Sequence, residues 1–528
     1  MRAGPAAPNR LDVRAGRDSF AHVLWAEWTK FRTVRGWAIG MAVAAILTVA
    51  VGYVTAAGSQ SSCNGGPCHF VVPTGPGGEA VTDSFYFVHR PLAGNGSITV
   101  RVTSLTGELP EAGRGRIQVG HGPQSGLHPG LEPWSKAGVI IKASIRQGSA
   151  YAAVLVTGDH GVRMQYDYTQ HIAGPPGLPS AASPRWLRLT RSGDAITGYA
   201  SADGTHWTRI GAATLSGLPA TVQAGLFATS PAYSLTTSQG IVGASNTGGP
   251  TLATGAFDHV GLGGAWPGGP WHGDLIGGAN AAYPVAGGGY HQSGSAFRVT
   301  GSGDIAPDTN GGAGPGQSVQ AALFGTFFGL IAVVVVGAVF ITAEYRRGLI
   351  RTTLAASPRR GQVLAAKAIV IGAVAFVAGL VAAIVAIPLS TQVSRANGNI
   401  IYPASALTEV RMVAGTGALL AVAAILAVAV GATLRRSAIA VTAVIVVIVL
   451  PYLISVTNLP GDGWLLRLAP AAAFSIQQAI PNYPQVTSVC RPGLGCYPLA
   501  PWAGFAVLCA WAAAALALAF FLLRRRDA

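Results

Sequence analysis

Six blocks of about 20 consecutive apolar residues, the length that crosses a hydrocarbon core roughly 30 Å thick, punctuate this chain. They cover residues 37–57, 319–342, 364–389, 412–434, 437–456 and 502–523. Apart from Lys367, at the mouth of the third block, none contains Asp, Glu, Lys, Arg or His. Ahead of the first block, Phe20, Leu24, Trp28 and Phe31 recur at three- and four-residue steps, with Glu27 and Lys30 off that stripe. This spacing predicts an amphipathic helix over 18–35, capped by Asp18 or Ser19 and lying in the membrane interface. The first block is longer than the apolar core of a cleaved leader and follows a long basic stretch, so it reads as a retained signal-anchor.

From about residue 83 the period changes to two. Ile98, Val100 and Val102 alternate with Thr99, Arg101 and Thr103; Val139, Ile141 and Ile145 alternate with Lys142, Ser144 and Arg146. Val162, Met164, Tyr166 and Tyr168 alternate with Arg163, Gln165 and Asp167, and similar runs continue to residue 260. Short strands at this spacing, broken by Gly, Pro, Asn and Asp, predict an antiparallel sandwich. The Gly- and Pro-rich stretch 261–318 predicts a loosely structured connector with one hairpin. The expected fold class is therefore a membrane all-α bundle of six transmembrane helices with an inserted all-β jelly-roll sandwich. Its parts are 1–36 (cytoplasmic, with the amphipathic helix), 37–57 (first span), 58–260 (sandwich), 261–318 (connector) and 319–528 (spans two to six). Residues 464–480 are apolar but too short to span, and predict an interfacial or re-entrant helix.

Half of the residues are hydrophobic and only 10% are charged, against about 25% in soluble proteins. The placement of the +15 net charge fixes orientation. Arg2, Arg10, Arg14, Arg17, Lys30, Arg32 and Arg35 precede the first block, and Arg346, Arg347, Arg351, Arg359, Arg360 and Lys367 follow the second. Arg435 and Arg436 separate the fourth from the fifth, and Arg524, Arg525 and Arg526 follow the sixth. Every second connection is thus basic, which places both termini in the cytoplasm and residues 58–318 outside a plasma membrane. That outer segment carries 13 basic and 13 acidic residues, so the positive balance marks topology and anionic membrane lipid rather than nucleic acid. Cys63 and Cys68, and Cys490 and Cys496, are close pairs on the oxidising side and predict disulfides. A zinc site from the four would need two distant parts of the chain to meet, and no metal is expected.

No G-x-x-x-x-G-K-[ST] occurs, since none of Lys30, Lys136, Lys142 and Lys367 follows a glycine; ATP cannot be held here by a P-loop. There is no G-x-S-x-G elbow and no paired-carboxylate strand, so no enzyme is expected and catalytic residues are none. The spans lack the ionisable relays of ion-coupled transporters, so the energy for any transport comes from another chain. Two G-x-x-x-G spacings, Gly36 to Gly40 and Gly325 to Gly329, would allow close helix packing, although in a glycine-rich membrane chain such spacing is ordinarily incidental.

LWAEWTKFRTVRGW before the first span, ITAEYRRGLIRTTLAASPRRGQVLAAK after the second, and six spans together resemble permease subunits of the ABC-2 (type V) exporter family. The resemblance covers about residues 18–57 and 319–528. It implies a connecting helix before the first span and a coupling helix, 344–356, that contacts a separate P-loop ATPase. Glu344, Arg346, Arg347, Gly348, Arg351, Thr352, Pro358 and Lys367 match the motif, and the first six are the expected ATPase-coupling residues. Arginines in this helix suit planar, bidentate contacts to a partner's carboxylates; on their own they would equally obey the positive-inside rule and meet lipid phosphates. The implied assembly has a second permease copy, identical or not, with ATP and Mg on the partner ATPase and no cofactor in this chain. Few lysines against many arginines suggest a GC-rich bacterial source.

The outer domain resembles a concanavalin A-like (laminin-G-like) jelly roll through DSFYF, GSITVRV, KAGVIIKAS, YAAVLVT, WLRLTRSGDAITGYASADGTHWTRIG and AGLFATS. Ser201 to Trp207 resembles the turn of an Asp-box hairpin, whose Asp satisfies turn amides above a packed tryptophan. Relatives of this sandwich bind sugars through exposed aromatics, which makes Trp134, Trp186 and Trp207 the glycan-binding candidates, although a sandwich tryptophan is usually core. The alternative function is therefore a membrane-anchored glycan-binding or sensor protein.

Overall fold

The computed structural model describes residues 20–59, 62–63, 66–67, 72–110, 127–239, 243–277, 287–309, 316–346, 359–456, 464–486, 490 and 492–525. Among them are seven long helices: α1 (Phe20–Thr33), α2 (Arg35–Gly58), α3 (Thr326–Arg346), α4 (Arg360–Ala396), α5 (Ala406–Leu434), α6 (Ser437–Val456) and α7 (Pro501–Arg525). Six of these, α2 to α7, are long and apolar enough to cross a membrane. At 37 residues, α4 is about 55 Å long, so it runs beyond its apolar block.

Small residues let these helices touch. A Cβ on Gly325 would collide with the Thr48 carbonyl oxygen, and one on Gly329 with the Thr48 hydroxyl, so the second glycine spacing is a true packing site between α2 and α3. Gly36 has open space around it; in the first spacing only Gly40 is tight, against Val336. The segment expected to be interfacial or re-entrant is a short helix, Leu465–Leu468, followed by a 3-10 turn, Pro470–Gln477, whose eight residues are all buried. Gln477 anchors it by donating from Nε2 to Thr326 Oγ1 (3.0 Å) and Thr416 Oγ1 (2.8 Å).

The β-rich part is an antiparallel sandwich. Among the described residues one sheet has seven strands, in the order Gln170–Ala173, Val162–Tyr166, Tyr151–Thr157, Lys136–Lys142, Thr221–Thr229, Phe85–Ala93 and His272–Ile276. The other runs Thr208–Thr214, Ala195–Ser201, Arg185–Ser192, Gly96–Pro110, Leu252–Gly264, Ala296–Gly301 and Gly289–Ser293, with Leu127–Pro129 also pairing to its long fourth strand. Between them Val139, Ile141, Val154, Leu187, Leu189, Ile98, Val100 and Leu226 are fully buried.

Two expectations change here. Residues after 260 are not a connector: they supply strands to both sheets, and Ile305–Pro307 pairs with Val81–Asp83. That pairing brings the start and the end of the insertion side by side, as a domain spliced between two neighbouring helices requires. Second, the polar positions of Lys136–Lys142 do not face water, because the central strands of the seven-stranded sheet are buried on both faces. Lys136 and Lys142 are fully buried; their Nζ atoms donate to Asp304 Oδ1 (2.6 Å) and Asp83 Oδ2 (2.7 Å). Ile145, expected inside, is exposed because the strand has already ended at Lys142.

The Cys490–Cys496 disulfide is formed. Cys63 lies in a two-residue strand, while Cys68 falls outside the described residues. Gln485 Nε2 donates to the Thr169 carbonyl (3.0 Å), and Asn399 Nδ2 to the Ser59 carbonyl (3.2 Å); the first ties the segment before α7 to the sandwich. Tyr402 joins them too: its hydroxyl bonds the Asp308 carboxylate and accepts from the Gly316 N–H.

Burial pushes the Asp308 carboxyl up to about 6, although the Tyr402 bond opposes it. A raised folded-state value binds protons that the unfolded chain has released, so the stability Asp308 contributes is fully present below about pH 4 and lost as pH rises through about 6. The difference is on the order of 3 kcal/mol at most. Thermal unfolding of detergent-solubilised protein at about pH 5 and pH 7.5 should show acid stabilisation that shrinks in Asp308→Asn. Glu79, Glu132 and Asp167 are also raised by burial, which is why the variant rather than the wild-type profile alone is the readout.

Candidate functional site: a buried charge cluster

α1 carries one acidic residue, Glu27, and Lys367 is the lone charged residue in the six apolar blocks. The fold brings them together at the end of the helical domain remote from the sandwich. Lys367 Nζ lies 2.6 Å from Glu27 Oε2 and 2.7 Å from Glu344 Oε1. Lys30 Nζ lies 2.7 Å from Glu27 Oε1 and 3.2 Å from Glu344 Oε1. Two cations and two anions from α1, α3 and α4 therefore close a network of zero net charge. Lys367 also sits over the Phe340 ring at 4.9 Å, and Phe31 and Trp37 meet that ring edge-on. Lys367 and Glu27 are each 1% exposed, whereas Lys30 reaches solvent.

The electrostatics follow from this placement. For Lys30, burial lowers the pKa, but the hydrogen bond and attraction to Glu27, then to Glu344, outweigh it and leave it above its ordinary value. Taking such charges out of water is repaid only by close pairing. Their geometry supplies that, with Glu344 Oε2 the one buried oxygen of the cluster left without a partner.

Glu344 thus belongs to an internal network, which is how the structure places the first of the expected coupling residues. Arg346 is exposed at the end of α3. Arg347, Gly348, Arg351 and Thr352, with Pro358, fall outside the described residues. The α1 face also differs from expectation: Glu27 and Phe31 are buried, whereas Trp25 and Trp28 are exposed. Sequence reasoning placed Glu27 and Lys30 off the apolar stripe and so missed them; an isolated acid in an apolar helix beside an isolated lysine in an apolar span was the available signal.

The three tryptophan candidates do not form one surface. Trp134 is buried, stacked on His160 with ring centroids 3.9 Å apart. Trp186 packs beneath the Gly204 turn, where an added Cβ would stand 2.8 Å from its ring, with the Arg101 guanidinium over it at 5.8 Å. Trp207 Nε1 donates to the Gly204 carbonyl, and Arg188 lies 3.9 Å over its ring. The Asp-box turn is built as its motif implies: Asp203 Oδ1 accepts from the Thr205 and His206 N–H groups, both at 2.8 Å. Bonds from His206 and Thr205 hold the Asp203 carboxyl well below the usual carboxylate range. Trp186 and Trp207 serve the hairpin, and Trp134 is spent on His160.

Lys367→Met should lower the thermal midpoint of the purified protein strongly, by an amount equivalent to about 3–5 kcal/mol, because it strands two buried carboxylates on one half-exposed lysine. Adding Glu344→Gln should recover part of the loss, and the coupling read from this double-mutant cycle checks that the two groups act as a unit.

Residues 228–528, more than half of the chain, match the model of a family described as ABC-2 family transporter protein. No curated protein matches the sequence. Among solved structures, the GH43 BlXynB protein from Bacillus licheniformis is similar at 15% identity over 25% of this chain and 24% of its own length, with a TM-score of 0.18. A functionally unknown protein from Saccharomyces cerevisiae is similar at 14% identity over 38% of this chain and 85% of that one, TM-score 0.22. Scytalido-glutamic peptidase is similar at 9% identity over 41% of this chain and 98% of that one, TM-score 0.24. Scores this low carry no argument about fold or activity. The family match runs from inside the strand Thr221–Thr229 through all of α3 to α7; the chain belongs to the ABC-2 transporter family, as a membrane-embedded transport domain.

Proposed function

We propose that this chain is the permease subunit of a bacterial exporter of the type V kind, driven by a separate P-loop ATPase and working beside a second permease copy. In this reading both termini and residues 344–360 lie in the cytoplasm, and the sandwich lies outside. ATP and Mg would be held by the partner, since this sequence has no P-loop lysine.

The observation that carries the proposal is the charge cluster. Glu344 lies in the last turn of α3, before residues 347–358, and Lys367 lies in the first turns of α4 just after them. Both are tied to Glu27 on α1. A push on the intervening segment therefore moves α1, α3 and α4 as one unit instead of bending a loop. Rigid-body displacement of packed helices is how a small local motion becomes an opening elsewhere. The exposed Arg346, with Arg347 and Arg351, supplies the guanidinium groups that would meet an acidic groove on the ATPase.

Purified from its native host, the chain should bring down an ATPase. The triple reversal Arg346→Glu, Arg347→Glu and Arg351→Glu should release it and abolish transport, while Arg346→Glu alone, at an exposed position, should leave the unfolding free energy within about 0.5 kcal/mol of wild type. Retention of the partner with transport intact, or labelling of an Arg346→Cys thiol by an impermeant reagent from the sandwich side, would falsify the assignment.

A further inference from the structure

A cleft of about 300 Å³ opens at the sandwich-proximal end of the helical domain. It lies between the 3-10 turn Val319–Leu323, the outer part of α6, the buried turn Pro470–Gln477 and the disulfide-closed loop at 492–497. Tyr452, Phe474 and Tyr497 form its buried wall, with the Tyr452 and Phe474 ring centroids 5.3 Å apart. Among the described residues that line it there is no Asp, Glu, Lys, Arg or His.

Two buried amides face this wall with half of their hydrogen-bonding capacity spent. Gln477 donates to Thr326 and Thr416, which uses its NH2 group and leaves its carbonyl oxygen as an acceptor. Gln320 accepts from the Ala479 N–H through Oε1, which leaves its NH2 group as a donor. Among the described residues neither remaining function has a protein partner, and both side chains line the cleft. Neither of these two atoms is sealed off from solvent, so each is open to bond water or a ligand in the cleft.

The most exposed residues lining the cleft, Ala321, Phe324 and Leu494, are apolar. Phe324 and Leu494 border it at 47% and 38% exposure, and Phe328, one helical turn further along α3, is also exposed. An exposed apolar strip of this kind on a membrane helix faces lipid or another apolar surface.

We infer that this cleft binds an uncharged amphiphile, whose hydroxyl- or amide-bearing head meets Gln320 and Gln477 and whose apolar body lies along the aromatic wall. A charged head would lose its hydration with no counter-charge among the described lining residues to replace it. One donor and one acceptor, both neutral, select a head group that can do both. That the cleft is a station for the exported substrate rests on the exporter reading; binding itself does not.

The test uses the full chain in lipid nanodiscs without ATPase, so its outcome is independent of whether a partner is ever found. Photolabelling with a diazirine-bearing monoacylglycerol should map to residues 316–324, 470–477 or 492–497. The matching lysophosphatidic acid, with the same acyl chain and a charged head, should label these peptides about tenfold less, and Leu494→Trp, which fills the mouth, should cut monoacylglycerol labelling about tenfold. Gln320→Leu should weaken labelling by the monoacylglycerol but not by a headless diazirine alkane; if it fails to fold, the Leu494→Trp arm decides. Equal labelling by neutral and anionic probes, indifference to Leu494→Trp, labels confined to other helix faces, or a cross-link showing a second copy seated over the mouth would each overturn the inference.

Discussion

A lysine taken wholly out of water must find a negative charge within contact distance, and that requirement organises the membrane half of this protein. Lys367 is held between Glu27 and Glu344 at 2.6 and 2.7 Å. Because its partners come from α1 and α3, satisfying one buried ammonium fixes three helices relative to each other. Apolar contacts alone would let α1 slide along the bundle, since dispersion has little directional preference. The ion pairs give that contact a register, and Phe340 beneath Lys367 keeps water from competing for it.

The same constraint recurs in the sandwich. Lys136 and Lys142 lie on the sheet face turned away from the main core, and each is paired to an aspartate outside the sheet. Asp83 ends the strand Val81–Asp83, and Asp304 immediately precedes that strand's partner, Ile305–Pro307. The pairs thus staple the two chain crossings to the sheet, which gives the inserted domain a defined attachment to the helices. With Tyr402 and Gln485 added, the sandwich is seated on one end of the helical domain by directional polar contacts. Motion in the helices would thereby reach the sandwich's attachment strands.

The tryptophans show why residue type and exposure must be read together. Trp186 and Trp207 stand on the outward side of a sheet, where a sugar platform would stand, yet a glycine turn and two arginines occupy their faces. The polar cleft near Gln320 and Gln477 has the opposite character: ordinary residues, none conspicuous in the sequence, whose unspent hydrogen bonds converge on one space.

The sequence alone determined the number and placement of the helices that can span a membrane, the β character of the insertion, the Asp-box turn, the Cys490–Cys496 pair and the family. Each of these follows from residues close in the chain: runs of 20 apolar side chains, alternation at period two, a seven-residue turn motif, a six-residue cysteine spacing. Only the tertiary structure decided that Glu27 and Lys30 join Lys367 and Glu344, that Lys136 and Lys142 are core residues, that the Gly- and Pro-rich stretch after 260 completes both sheets, and that Gly325 and Gly329 bear on α2. Those facts depend on partners up to hundreds of residues apart. Periodicity reports which face of an element is apolar, but a charged side chain is read as solvent-facing until the fold supplies its counter-ion.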